Sequence, residues 1–393
     1  MSKFDDIRPY NDDEVRPTIT KLLANDELLH AVASLQYPNA VIRHPKLMRF
    51  LAKRFMHWQL RGADDVTGVQ HVLEKYLRKN LDNTTTELTH SGLERLDPSQ
   101  SYLFVSNHRD IAMDPALINW VLYNKGFSTV RIAIGDNLLT KDYASDLMRL
   151  NKTFIVKRSA TSPREKFKAA KHLSAYIHHS LHEDNCNIWI AQREGRAKDG
   201  RDITNRAIIS MFCLNKPKTD DFGDYITNMN IVPVSISYEW DPCDIAKANE
   251  LYQLQAYGEY SKQEHEDVES IAKGIRGQKG RVHVAFGEVL GEGFNDAEVV
   301  ALEVERQIQR QYVLQPSNLA AYYLLYHLTP ETLKWGVDEK PFVVEEHESV
   351  FKELNRRLES VPEEQRTILL SGYANPVLSK LAHLNSLSQA SSV

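Results

Sequence analysis

The pattern of apolar and polar positions is helical through the first part of the chain. In the stretches EVRPTITKLLANDELLHAVASL and GVQHVLEKYLRKNL, apolar residues recur three and four positions apart, as on one face of a helix. The polar stretch TTTELTHSGLERLDPSQ that follows indicates an edge strand over residues 85–90 and then a turn. We therefore predict a helical N-terminal region over residues 1–85.

Short apolar runs alternate with helical patterns in the middle of the chain. Strands are predicted at SYLFVSN, TVRIAIG, KTFIVKR, NCNIWIAQREG, NIVPVSISYEW and GRVHVAFGEVL. Helices are predicted between the first five of these strands, at DPALINWVLYN, LTKDYASDLMRL, PREKFKAAKHLSAYIHHSLHE and RAIISMFCLNK. Strands and helices that alternate at this spacing are typical of an α/β layered domain, which we place at residues 86–290.

Helical spacing returns in the last part of the chain. The stretches DAEVVALEVERQIQRQYVL, NLAAYYLLYHLT and HESVFKELNRRLESV all show it, and they define a helical C-terminal region over residues 291–383. The Ser-rich end LNSLSQASSV predicts a disordered tail over residues 384–393. One interpretation is that the N-terminal and C-terminal helical regions only cover the sheet, and the alternative is that the N-terminal region binds the acyl carrier or a bilayer.

Composition narrows the class of protein. The chain has 393 residues, 42% of them hydrophobic and 26% charged, which is typical of a globular protein of two or three domains. A net charge of -5 argues against a nucleic-acid partner. Cys186, Cys213 and Cys243 are odd in number and widely spaced, which favours a reducing cytosol.

Targeting and membrane-spanning signals also bear on location. The beginning MSKFDDIRPYNDDEV is acidic and has no apolar core of the kind that a secretory signal needs. No uncharged apolar run reaches about 18 residues, so we expect no membrane-spanning helix. The expected location is the cytoplasm, with peripheral contact to the inner face of the membrane.

A histidine and two aspartates follow the first predicted strand of the α/β domain, in FVSNHRDIAMDP. His108 lies where the strand ends and a helix is about to begin, a position that faces a cleft in open α/β sheets. A free imidazole has a pKa near 6.5 and can accept a proton at neutral pH, and a carboxylate on its other ring nitrogen would fix the tautomer. These residues therefore indicate a general base with an orienting acid, Asp110 or Asp114. The alternative is a core or capping histidine beside a capping aspartate.

Four stretches in order resemble the signature of the glycerolipid acyltransferases, the superfamily of glycerol-3-phosphate and lysophosphatidate O-acyltransferases. NHRDIAMDP from Asn107 is similar to the family's His-to-Asp block, and TFIVKR ending at Arg158 looks like its second block. REGRAKDGR is similar to the third block, and IVPVSI around Pro233 to the fourth. The resemblance covers roughly residues 85–290, and four blocks in the family's order are far more specific than any one alone.

The resemblance implies a fold, a reaction and a set of site residues. The fold would be α/β, a layered mixed sheet flanked by helices, with helical N-terminal and C-terminal regions. The reaction would move an acyl group from acyl-CoA or acyl-carrier protein to a hydroxyl of glycerol 3-phosphate or of 1-acylglycerol 3-phosphate. His108 would act as general base with Asp114 or Asp110, and no covalent acyl-enzyme would form. The acceptor phosphate would bind the basic residues Lys157, Arg158, Arg196 and Arg201. Residues expected to orient the substrate are Glu194, Gly195 and Pro233, the backbone amides near Gly195 being candidates for the oxyanion hole.

Two details of these blocks depart from the family pattern. Five residues rather than four separate His108 from Asp114, and Asp110 is only two positions away. Neither spacing pairs the side chains on a regular helix, so the turn must be irregular. We favour Asp114 as the orienting acid because Asp114–Pro115 occupies the family's position, with Asp110 as the alternative. In the third block Ala197 stands where the family has an arginine, and Arg196 comes one position early.

A basic amphipathic helix is predicted over residues 45–61, PKLMRFLAKRFMHWQLR. Its apolar side holds Leu47, Met48, Leu51, Ala52, Phe55, Met56 and Trp58. Its basic side holds Lys46, Arg49, Lys53, Arg54, His57 and Arg61. Such a helix suits the surface of an anionic bilayer, and the alternative is a helix packed on its own protein by the same apolar side.

One histidine pair has a spacing that metal sites use. HHSLH places His178 and His182 four positions apart. No acid or cysteine completes a recognised metal-ligand pattern with this pair, so we predict no metal and no bound cofactor beyond the acyl donor.

Three functions compete at this point. The first is the acyltransferase with a glycerol phosphate or lysophospholipid acceptor. The second is a catalytically weak relative that binds phospholipid at a membrane surface, which the lengthened His108-to-Asp114 spacing favours. The third is a thioester hydrolase, against which Lys157 and Arg158 argue because water needs no phosphate site.

Overall fold

The computed structural model describes residues 3–263, 266–329 and 332–390. Its helices are α1 Asp12–Leu23, α2 Asp26–Gln36, α3 Pro38–Arg43, α4 Pro45–Gln59, α5 Val66–Thr84, α6 Met113–Asn124, α7 Asp142–Leu150, α8 Pro163–His182, α9 Arg206–Phe212, α10 Phe222–Asn228, α11 Asp244–Tyr257, α12 Glu266–Arg276, α13 Ala297–Gln311, α14 Pro316–Tyr326, α15 Glu348–Glu359 and α16 Glu363–Ala390. Its strands are β1 Thr85–Ser91, β2 Leu103–Ser106, β3 Arg131–Gly135, β4 Thr153–Val156, β5 Ile188–Ala191, β6 Ile231–Tyr238, β7 Gly280–Phe286, β8 Lys334–Trp335 and β9 Lys340–Pro341.

The chain divides into two compact units, each built from two separate segments of the sequence. The first unit contains the chain up to residue 79 together with 131–176, and the second contains 80–130 together with the chain from 177 onwards. The chain therefore leaves the second unit after α6 and returns to it within α8. Local periodicity cannot show such a division, because it depends on contacts between segments far apart in sequence.

The first unit combines the N-terminal helices with one pair of strands. Apolar residues of α1, among them Val15, Ile19 and Leu22, are buried against residues of α5 and α7. Strands β3 and β4 pair in parallel, with Ile132 opposite Thr153. The helical N-terminal region predicted from the sequence is present as α1–α5.

The second unit contains a mixed sheet in which the strands lie in the order β1-β7-β6-β2-β5. β1 is parallel to β7, and β2 is parallel to both β5 and β6, whereas β6 and β7 are antiparallel. Every side chain of β2 and β6 is buried, as expected for strands covered on both faces. The fold class predicted from the sequence, an α/β layered mixed sheet flanked by helices, is confirmed.

The C-terminal helices pack around a core of their own. Leu319, Leu354 and Val377, one residue each from α14, α15 and α16, are buried in it. The short antiparallel pair β8–β9 was not predicted, because strands of two residues leave no periodic signal. Helix α16 continues to Ala390 across most of the stretch 384–393 for which disorder was predicted, and residues 391–393 lie outside the described residues.

Candidate active site

His108 lies in an irregular turn that joins the carboxyl end of β2 to the start of α6. The neighbouring Asn107 attaches the beginning of this turn to β6. Its side-chain oxygen accepts from the amide of Ile236 at 2.8 Å, and its side-chain nitrogen donates to the carbonyl of Ile236 at 3.0 Å. The amide side chain therefore replaces the backbone partner that the strand loses where β2 ends.

The turn brings His108 and Asp114 together. The distance between His108 Nδ1 and Asp114 Oδ2 is 2.9 Å. Asp114 is fully buried, whereas the His108 side chain keeps 14% of its surface exposed. A proton on Nδ1 would be donated to the carboxylate, which leaves Nε2 as the acceptor. This is the arrangement of a general base and its orienting acid.

Four donors converge on the Asp114 carboxylate. Besides His108, the amides of Arg109 and Asp110 donate to Oδ2 at 2.7 and 2.9 Å, and the Tyr238 hydroxyl donates to Oδ1 at 2.8 Å. Burial raises the pKa of Tyr238 well above its usual value, so the phenol keeps its proton and remains a donor. These bonds fix the carboxylate in the orientation that faces the imidazole.

Asp110, the alternative orienting acid, has another partner. Its Oδ1 accepts from the amides of Ala112 and Met113 at 2.9 and 2.8 Å, where α6 begins. Burial and the nearby Asp114 carboxylate raise the pKa of Asp110. The geometry thus gives Asp110 the place of a helix cap and gives Asp114 the contact with His108.

The loop after β5, which contains the third sequence block, is tied to the histidine turn. The amide of Ala197 donates to the carbonyl of His108 at 2.7 Å. Asp202 accepts from Asn107 Nδ2 at 3.1 Å and from Arg109 Nη2 at 2.6 Å. Although burial disfavours its charge, Asp202 raises the pKa of Arg109 above its ordinary value. Sequence reasoning did not identify Asp202 or Arg109 as parts of the site.

The four basic residues predicted to bind phosphate are divided between the two units. Arg196 and Arg201 belong to the second unit, and Lys157 and Arg158 belong to the first. Arg196 is partly exposed, its Nη2 lies 3.3 Å from Ser270 Oγ, and its Nη1 is buried without a hydrogen-bond partner. Arg201 is exposed. Arg196 therefore has a buried donor without a hydrogen-bond partner.

Lys157 and Arg158 follow directly after β4. Lys157 forms an ion pair with Asp6, and the amide of Arg158 donates to Asp136 Oδ1 at 3.0 Å. Their binding of a phosphate stays a prediction.

The remaining predicted residues lie in two different settings. Glu194 and Gly195 are exposed in the loop after β5, and Gly195 has φ +74°, a backbone conformation that favours glycine. Pro233 is buried inside β6, opposite Val105 of β2. The substrate-orienting roles of these three residues stay predictions.

The pair His178 and His182 lies on α8, with ring centroids 4.3 Å apart. His178 also stacks on Tyr225, and partial burial lowers the pKa of both histidines. Over residues 3–263, 266–329 and 332–390, no group of three or more His, Cys, Asp or Glu side chains is placed to hold a metal ion.

Tyr238 and Lys247 are further residues at this site that the sequence reasoning missed. Tyr238 is the last residue of β6, and its hydroxyl reaches Asp114 across 124 positions of sequence. Lys247 lies on α11, and its Nζ donates to the carbonyl of Arg109 at 2.7 Å. The available signals were a tyrosine at the end of an apolar strand and a lysine among the first residues of a helix, and neither is specific.

Comparison with known proteins gave a family match for part of the chain and a similar solved structure. Residues 87–237 match the family model described as Acyltransferase. A search of curated proteins found no match. Among solved structures, the chain is similar to the 1-acyl-sn-glycerophosphate (LPA) acyltransferase PlsC from Thermotoga maritima, with 14% identity and a TM-score of 0.36, over 73% of this chain and 95% of that one.

The matched segment contains the whole histidine turn, with His108 and Asp114 in contact. The family match over residues 87–237 supports an acyltransferase enzyme, and the His108–Asp114 contact lies inside that segment. The blocks that resemble the glycerolipid acyltransferases, including the lengthened His-to-Asp block, lie within or beside this matched segment.

Proposed function

We propose that this protein transfers a fatty acyl group from acyl-CoA or acyl-carrier protein to a hydroxyl of glycerol 3-phosphate or 1-acylglycerol 3-phosphate. The observation that carries the proposal is the contact of 2.9 Å between His108 and Asp114 inside the matched domain. The structurally similar PlsC from Thermotoga maritima is named as a 1-acyl-sn-glycerophosphate acyltransferase, and this acceptor is stated for that protein alone.

The proposed reaction is a direct transfer. His108 Nε2 takes the proton of the acceptor hydroxyl, whose oxygen attacks the carbonyl carbon of the thioester. Asp114 stabilises the imidazolium that forms. The tetrahedral intermediate then collapses, the carbon–sulfur bond breaks, and the thiolate leaves with the proton from His108. The products are an ester and a free thiol, and the imidazole returns to its starting state.

The acceptor phosphate would bind the basic residues of the site. Arg196 supports this because its Nη1 is a buried donor without a partner, which a phosphate oxygen would satisfy. Arg201 would add positive charge around the same phosphate, and Glu194 would orient the glycerol hydroxyls. A phosphate-binding role for Lys157 and Arg158 stays a prediction from the sequence. The backbone amides near Gly195 remain candidate donors to the oxyanion.

The competing functions differ in what they require of the histidine turn. The lengthened spacing favoured a catalytically weak lipid-binding relative, but the extra residue does not separate the base from its acid. A thioester hydrolase would use the same pair with water as the acceptor.

Purified protein should form a labelled ester when it is incubated with labelled acyl-CoA or acyl-carrier protein and an acceptor that carries a phosphate. Glycerol should react at least about tenfold less efficiently than glycerol 3-phosphate, because a charge-assisted bond to Arg196 contributes about 1.5–3 kcal/mol. Thin-layer chromatography separates the outcomes. Free fatty acid without ester would indicate the hydrolase, and no turnover would indicate the lipid-binding relative.

Helix α4 supports a further element of the proposed function, contact with the membrane that holds a lipid substrate or product. Its apolar side divides into two parts. Met48, Ala52 and Met56 pack with residues of α2 inside the first unit. Leu47, Leu51, Phe55 and Trp58 are exposed, Trp58 by 66%.

The exposed apolar stripe of α4 borders a row of exposed basic residues, Lys46, Lys53, Arg54, His57 and Arg61. Large apolar side chains that insert among lipids, beside cations that meet anionic headgroups, suit a helix lying in the bilayer interface. We infer that this stripe docks on an anionic lipid surface. None of the helices in the part of the chain that the structure describes is both long and apolar enough to span a bilayer.

The double variant Lys53→Glu, Arg54→Glu should lower binding to anionic phospholipid vesicles at least about tenfold, because each basic residue near such a surface contributes about 1 kcal/mol. Co-sedimentation with vesicles measures it. The matched control is Lys166→Glu, Lys168→Glu on α8, which makes the same change in net charge at two other exposed positions. Equal binding by wild type and the α4 variant would show that α4 is not the docking surface.

A further inference from the structure

The C-terminal region has no role in the reaction described so far. We propose that Lys247 is a positioning residue for the His108 turn, and that α15 and α16 hold it in place through a buried ionic network. The C-terminal helices would then be a working part of the active site rather than only a cover for the sheet. The proposal rests on the proposed function, because it concerns the same histidine.

Lys247 acts on the backbone of the turn. Its side chain is buried, with 3% of the residue exposed, and its Nζ donates to the carbonyl of Arg109 at 2.7 Å. That carbonyl shares a peptide plane with the amide of Asp110, which donates to Asp114 Oδ2 at 2.9 Å. Because the peptide unit is rigid, holding one end of it fixes the direction of the other. Lys247 therefore helps to aim the amide that orients Asp114.

Asp241 holds the ammonium of Lys247 in place. Its Oδ2 forms an ion pair with Lys247 Nζ. Its Oδ1 accepts from the amide of Cys243 at 2.7 Å, so the carboxylate cannot rotate without losing a second bond. Although burial opposes it, the positive charge of Lys247 lowers the pKa of Asp241, which keeps the carboxylate ionised.

The C-terminal helices fix the turn that contains Asp241. Arg357 of α15 donates to the carbonyl of Asp241 at 3.2 Å and to Asp244 Oδ2 at 2.6 Å. The hydroxyl of Tyr373, on α16, accepts from the amide of Asp241 at 3.1 Å and donates to Asp244 Oδ2 at 2.7 Å. Arg357 of α15 and Tyr373 of α16 thus each form a hydrogen bond with the backbone of Asp241.

The side chain of Arg109 also contacts the residues around this network, through the ring of Tyr312. The Arg109 guanidinium lies over the ring of Tyr312, which follows α13, with 5.4 Å to the ring centroid. Arg109, Lys247, Asp241, Tyr312 and Tyr373 line a cavity of about 40 Å³. A cavity of this size and polarity has room for ordered water, which would join the network rather than disrupt it.

The charged character of the network supports a positioning role. Buried ion pairs are weak stabilisers, because removing two charges from water costs about as much as their attraction returns. Lys247, Asp241, Asp244 and Arg357 would therefore contribute little stability that apolar packing could not supply. All four lie beyond residue 237, outside the matched acyltransferase segment.

The variant Lys247→Met should lower kcat about 10²-fold and change KM for donor and acceptor less than about threefold, because a base displaced by about an ångström loses the reactive geometry without losing the binding residues. This variant also leaves Asp241 buried without its partner, which alone can unfold the chain. The double variant Asp241→Asn, Lys247→Met removes both charges and should regain thermal stability. Its kcat should stay low, because the donor to the Arg109 carbonyl is still missing.

The matched control is Lys380→Met. Lys380, on α16, is another lysine of the second unit and is partly buried, but its Nζ donates to the carbonyls of Gln309 and Tyr312 at 3.5 and 2.9 Å. It should lose stability and keep its kcat. Recovery of kcat together with stability in the Asp241→Asn, Lys247→Met variant would overturn the positioning role, as would an equal loss of kcat in Lys380→Met.

A second measurement does not depend on turnover. In protein labelled with ¹⁵N-histidine, NMR should detect the His108 Nδ1 proton in the wild type and in Lys380→Met, because its bond to Asp114 slows exchange with water. The signal should broaden or vanish in Asp241→Asn, Lys247→Met, and an unchanged signal there would refute the proposal. A wild type without transferase activity but with these NMR differences would refute the proposed function and leave the positioning role standing.

Discussion

Replacing His108 by alanine should lower kcat for acyl transfer by about 10²–10⁴-fold, the usual contribution of a general base. The chain should still fold, because Asp114 keeps three of its four donors, the amides of Arg109 and Asp110 and the hydroxyl of Tyr238. Initial rates with a labelled acyl donor measure the loss, and circular dichroism with a thermal melt tests the fold. KM for the acceptor should change little, because the removed imidazole contacts the reacting hydroxyl rather than the phosphate.

His178→Ala is the control for this experiment. His178 is also a partly buried histidine of the second unit, and it packs against His182 and Tyr225. The control should keep its activity and lose a comparable amount of stability. Full activity in His108→Ala would show that His108 is not the general base. Equal losses of activity in His108→Ala and His178→Ala would show that the effect comes from reduced folding.

The strands of the second unit could be predicted because buried strands have a recognisable local sequence pattern. β2, β5 and β6 are covered by protein on both faces, so their sequences are short apolar runs with polar residues at the ends. The antiparallel pairing of β6 with β7 in an otherwise parallel sheet has no such sequence pattern. Strand direction depends on contacts between strands, and the residue pattern of a single strand does not show these contacts.

Helix α4 shows how a correct local prediction can leave the packing open. The periodicity predicted one apolar side, and the alternatives were that this side contacts a bilayer or packs on the protein itself. In the structure, Met48, Ala52 and Met56 pack inside the first unit, and Leu47 and Trp58 on the same side are exposed. The hydrophobic face of α4 is wider than its contact with α2, which explains why some of its apolar residues are packed and others are exposed.

The active site was predictable as far as its residues are close in sequence. His108, Asp110 and Asp114 lie within one turn, and the motif pointed to all three. The turn is irregular, so spacing could not decide between the two carboxylates. Tyr238 and Lys247 could not be found because they come from β6 and α11, 124 and 138 positions from the groups they contact.

The variants Asp114→Asn and Asp110→Asn should differ sharply, although each replaces one buried carboxylate by an amide of the same shape. Asp114→Asn should lower kcat about 10²–10⁴-fold, because the amide carries no charge to stabilise the imidazolium and can turn its NH₂ group toward His108. Asp110→Asn should change kcat less than about fivefold, because an asparagine oxygen can still accept from the amides of Ala112 and Met113 and cap α6.

The comparison between these two variants identifies the orienting acid even if both lose some stability. Asp110 lies just before α6 and Asp114 in its first turn, both are buried, and each accepts from two backbone amides. Asp114 also makes the bond of 2.9 Å to His108 and accepts from the Tyr238 hydroxyl at 2.8 Å. Steady-state rates measured across pH, beside thermal melts of each variant, separate the chemical effect from the structural one. Equal and mild effects on kcat would leave neither carboxylate in the mechanism, and a larger effect at Asp110 would reverse the assignment that the geometry supports.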